Sequence, residues 1–68
     1  MNDPGSCLWT LRREDREVSC VVRLMPYGIE VDIAYDGSPV VTRTFETGEE
    51  ALAWAEKTRN DRRRRGWQ

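Results

Sequence analysis

Sixty-eight residues, 38% hydrophobic and 34% charged, bound the chain to one small domain with a thin core. With no histidine, the common zinc patterns, the usual general base and a near-neutral pH switch are excluded, and two cysteines are too few for a disulfide framework. The formal net charge of −1 hides an asymmetry: residues 1–56 carry eleven acids against five arginines, a balance of −6, whereas residues 57–68 carry Lys57, Arg59 and Arg62 to Arg65 against Asp61 alone, a balance of +5.

Apolar runs are only a few residues long, so none is expected to span a bilayer. The opening MNDPGS has neither the basic region nor the apolar stretch of a signal peptide, so a cytoplasmic location is expected, with residues 1–6 as a disordered leader. Residues 7–12 (CLWTLR) read as a first strand, with Cys7, Trp9 and Leu11 on one face and Leu8, Thr10 and Arg12 on the other. A charged turn over 13–16 follows. Residues 17–25 alternate most cleanly, with Val18, Cys20, Val22 and Leu24 sharing one face. Pro26, Tyr27 and Gly28 make a turn.

Residues 29–35 alternate again. Ile29, Val31, Ile33 and Tyr35 face the core, and Glu30, Asp32 and Ala34 face away, the pattern of an antiparallel sheet with one wet face. Asp36-Gly37 predicts a tight hairpin. In the fourth strand, 40–45, Val41 and Phe45 point inward, and Arg43 between them runs its stem along the helix edge, with a bulge near Pro39 able to shift the register. Thr47-Gly48-Glu49-Glu50 fits a capping box that opens a helix ending before Gly66. Small alanines let this helix approach the sheet, with Leu52 and Trp54 supplying bulk. The expected fold is α+β, a four-stranded antiparallel meander and one C-terminal helix packed on one sheet face (β-β-β-β-α), over residues 7–65, with 66–68 as a C-terminal tail.

Four strands and then a helix resemble the repeat of the Pur-type nucleic-acid-binding proteins, and are similar to the transcriptional coactivator domain and the Whirly fold. The resemblance lies in element order over residues 7–65 and matches no residue motif. It implies single-strand binding across a curved sheet, generally by dimers. The ending Phe45, Thr47, Glu50-Ala51-Leu52-Ala53-Trp54-Ala55-Glu56 and Gly66-Trp67 also looks like that of small bacterial proteins with no transferable activity.

The acids form no catalytic set, and Glu30 and Asp32 are expected to be exposed on the uncovered face. No enzyme, metal site or cofactor is expected. Cys7 and Cys20 read as a reduced pair of core residues. Candidate contact residues for nucleic acid or a protein partner are Arg12 and Arg23 on the uncovered face, Arg59, Arg62, Arg63, Arg64 and Arg65 on the helix, and Trp67 beyond its stop. The leading expectation is a non-catalytic interaction module that self-associates or holds a protein partner. The alternative is single-stranded nucleic-acid binding through the basic helix end and the open sheet face.

Overall fold

The computed structural model describes residues 5–68. Four strands, β1 (Ser6–Arg13), β2 (Arg16–Met25), β3 (Gly28–Tyr35) and β4 (Ser38–Phe45), precede one helix, α1 (Gly48–Arg64). The strands pair antiparallel in the order β1-β2-β3-β4, so the sheet is a meander, as the alternation predicts. The β3–β4 hairpin turns on Asp36 and Gly37 with φ of 51° and 86°, the pair of positive angles that a two-residue loop needs. The Asp36 carboxylate accepts the Glu17 N–H at 3.0 Å and the Arg16 Nε at 3.2 Å, tying this turn to the start of β2. Those contacts, the backbone N–H first, hold the Asp36 carboxyl below its usual value.

One face of the sheet is covered by α1, which packs on β1, β3 and β4. The core holds Leu11, Val18, Cys20, Val31, Ile33, Ala51, Ala55 and Trp67. Ala51 and Ala55 are buried, so the helix backbone comes close enough for the Trp9 indole to donate to the Ala55 carbonyl at 3.1 Å. Leu52 does not supply the bulk expected of it. It is 56% exposed, and Trp9, Trp54 and Trp67 fill the space that the alanines leave. Thr47 caps the helix as expected, its Oγ1 accepting the Glu50 N–H at 3.2 Å, but the Glu50 carboxylate takes the Thr47 hydroxyl at 3.1 Å in place of the backbone N–H of a full capping box.

Two bulges set which residues face the helix. In β1, Cys7 pairs with Val21 and Trp9 with Cys20, leaving Leu8 as the extra residue. A bulge reverses facing on one side of itself. Cys7 therefore does not join the core. It is exposed, with its Sγ 3.3 Å from Thr10 Oγ1 on the uncovered face, and Leu8 lies beside Trp9 and Leu52 instead. In β4, Ile33 pairs with Val41 and Ala34 with Pro39, so Val40 is the extra residue. This bulge lies where Pro39 predicts it, and Val41, Arg43 and Phe45 pair with the inward Ile33, Val31 and Ile29.

The two thiols consequently differ. Burial pushes Cys20 up to about 11, whereas Cys7 is open to solvent. At neutral pH a thiol with that value holds on the order of a hundredfold less thiolate than an ordinary one. A disulfide reagent should therefore label one thiol per native chain, and Cys7→Ser should abolish that labelling until the protein is unfolded. Two thiols reacting at equal rates would contradict the bulge.

Both chain ends depart from the expected boundaries. Residues 1–4 of the expected leader lie outside the described residues, and Ser6 already belongs to β1. Residues 66–68 are built into the domain. Gly66 adopts a φ of 97°, its N–H reaches the Arg63 carbonyl at 3.1 Å, and the Trp67 N–H reaches the Arg62 carbonyl at 3.1 Å. This Schellman turn reverses the chain toward the sheet. Trp67 is then 7% exposed, edge-on to Tyr35 with ring centroids 5.6 Å apart. Gln68 and Arg12 exchange backbone hydrogen bonds of 2.8 and 3.1 Å, adding one residue pair to the outer edge of β1.

Candidate functional site

The uncovered face of the sheet is a polar surface organised around Asp32. Asp32 stands opposite Val21 on β2 and Thr42 on β4. Its carboxylate accepts the Thr42 hydroxyl at 2.6 Å and bonds the Arg23 guanidinium, which also lies 3.6 Å from Glu30. Contrary to the expectation from alternation, neither Glu30 nor Asp32 is exposed. Asp32 is only 5% exposed and Glu30 is half-buried. Among the described residues, no second layer lies on this face, and Asp32 is enclosed by its partners Arg23 on β2 and Thr42 on β4. At one end of the face the Tyr27 hydroxyl donates to Glu30 at 3.1 Å, a bond that raises the phenol above its ordinary value.

The candidate arginines are separated by this arrangement. Arg23 is engaged by two carboxylates, and Arg12, strongly exposed, lies 3.9 Å from Glu17. Arg59 pairs with Glu56 at 3.4 Å. Arg62 turns inward. Its Nε donates to the Tyr35 hydroxyl at 2.6 Å, its Nη1 bonds Asp61 at 2.7 Å, and its guanidinium sits 5.8 Å from the Tyr35 ring. Arg65 joins Asp61 at 3.3 Å. At 100° per residue, Arg62, Arg63, Arg64 and Arg65 point around the helix and make no single stripe. Trp67, placed in sequence among the contact candidates, is part of the core.

What the fold does bring together is a groove between β4 and α1, about 300 Å³ in volume. Ile33, Val41 and Trp54 form its floor, and Arg43, Lys57 and Arg64 stand on it, with Arg62 and Asp61 at one end. The Arg43 guanidinium lies 5.7 Å from the centre of the Trp54 ring, which leans on Phe45 at 5.8 Å. Arg43 runs along the helix edge as its position in β4 predicts, and the fold sets it in one groove with Lys57, which the sequence does not place beside it. The available signal was helical spacing: Trp54, Lys57, Thr58 and Asp61 recur at three and four residues and share a side. On the opposite flank, Leu8, Trp9 and Leu52 line a second, more apolar cleft bordered by Glu56 and Arg59.

Among the described residues no three of His, Cys, Asp and Glu gather into a group that would hold a metal ion, and no helix is long and apolar enough to cross a membrane. Comparison with known proteins returned no matching family model, no matching curated protein and no matching solved structure.

Proposed function

We propose that this chain is a non-catalytic interaction module whose first partner is a second copy of itself, met edge to edge through β4. The observation that carries the reading is the contrast between the two sheet edges. β1 is interrupted by the bulge at Leu8 and is occupied at Arg12 by Gln68. β4 has no strand on its outer side among the described residues, and only its start is blunted, by Pro39 and the bulge at Val40. From Val41 to Phe45 it is regular, and Val40 and Val41 are 56% and 39% exposed.

A regular edge presents backbone donors and acceptors that another strand satisfies. Antiparallel pairing of two β4 strands about a twofold axis normal to the sheet would be isologous and would keep both helices on one side. Arg23 and Arg62 are already engaged within the chain, which favours this reading over nucleic-acid binding across the sheet face. An edge this short buries less than the roughly 1,200–2,000 Å² of a stable interface, so a Kd in the micromolar range is expected. Sedimentation equilibrium from about 5 to 500 µM should show a monomer–dimer transition, weakened at least tenfold by Val40→Lys with Thr44→Lys, both exposed edge positions. A pure monomer across that range would remove self-association.

A further inference from the structure

We propose that the groove between β4 and α1 is a binding site for a nucleotide phosphate and its base. The proposal goes beyond self-association and does not rest on it. Three unpaired cations line it: among the described residues, Arg43, Lys57 and Arg64 have no carboxylate within 4.0 Å. Asp61, the one acid in the groove, is bonded by both Arg62 and Arg65, so its charge is already answered. The negative end of the helix dipole would oppose a phosphate, but the Arg62 and Arg63 carbonyls that carry it accept N–H bonds from the Schellman turn.

The floor selects for more than charge. Trp54 offers a half-buried indole, and the planar Arg43 guanidinium lies over it. A flat guanidinium on an aromatic face is a stacking surface for a base, while Lys57 and Arg64 on the helix side are placed for phosphate oxygens. Cations beside an aromatic platform, in an open groove, are the chemistry of single-strand binding. The uncovered sheet face lacks it, since its central arginine is neutralised.

The test is a titration of the full chain with a labelled single-stranded oligonucleotide, at protein concentrations below those that give dimers in sedimentation. Three engaged cations predict a log–log salt slope of about −2, or about a 20-fold loss of affinity between 50 and 200 mM salt. Arg43→Gln with Lys57→Gln and Arg64→Gln should abolish the binding. Lys57→Gln alone, at an exposed position that leaves the fold untouched, should reduce the slope by about 0.7. Amide and indole shifts should centre on Val41, Trp54, Lys57 and Arg64. A mononucleotide giving the same shifts would identify a free nucleotide as the ligand, and shifts from the oligonucleotide alone would identify a strand. No binding at 50 mM salt overturns the proposal. So does undiminished binding by the folded triple variant, or a response centred on Arg12, Arg23 or Arg63. Polyphosphate that competes equally and leaves the Trp54 indole unmoved would overturn the base-stacking role.

Discussion

Replacing Trp67 with alanine is expected to cost about 3–5 kcal/mol, the range for deleting a buried large aromatic. At about 0.05–0.15 kcal/mol per residue a domain of this length holds roughly 3–10 kcal/mol, so the variant should lose a large share of its stability at 25 °C. The reason is position. Trp67 closes the end of the core, edge-on to Tyr35, and the same turn that buries it delivers Gln68 to the β1 edge. Tyr35 in turn accepts from Arg62, so the ring, the phenol and the guanidinium lock the helix end to the sheet. Urea unfolding followed by far-ultraviolet circular dichroism would measure the loss. Trp67→Phe should restore most of it, since a smaller ring still fills part of the site. A midpoint unchanged in Trp67→Ala would show that residues 66–68 contribute nothing to the domain.

Arg23→Leu is expected to cost about 2 kcal/mol, because it leaves the buried Asp32 carboxylate with only the Thr42 hydroxyl. The full penalty of a stranded buried charge is larger. Arg23 keeps a third of its side chain in water, so screening already discounts the pair. Adding Asp32→Leu should recover stability to within about 1 kcal/mol of the parent, since two apolar side chains replace the pair without stranding a charge. The coupling energy from the four-variant cycle should therefore exceed the roughly 0.3–0.5 kcal/mol scatter of independent sites. Additive effects would mean that Arg23 and Asp32 act separately and that the uncovered face is not organised around their contact.

Much of the fold was legible because its signals are local. Alternation over residues 17–25 and 29–35 specifies strand and facing together, since successive side chains alternate by geometry. Asp36-Gly37 and Thr47 through Glu50 work within four residues, and each formed where its residue types require. The candidate site was less legible. A run of four arginines is conspicuous in a sequence, yet Arg62 is inward, Arg65 is paired, and Arg64 shares its groove with Lys57 and with Arg43, 21 positions earlier on another element. Charge counted along a chain does not report which cations already have partners.

The sequence by itself determined the order of elements, the antiparallel pairing, the helix cap and the inward set of β3, because each follows from backbone geometry over a few neighbouring residues. Tertiary structure alone decided where the alternation of β1 breaks and what becomes buried. The bulge at Leu8 turns Cys7 to solvent while Trp9 stays inward and reaches the Ala55 carbonyl on the helix. Asp32 is buried between its cross-strand partners, Arg23 on β2 and Thr42 on β4. Trp67 enters the core because the helix ends beside the gap that it fills. In each case the deciding contact lies far away in the chain, and side-chain burial is a property of that neighbourhood, which no local pattern encodes.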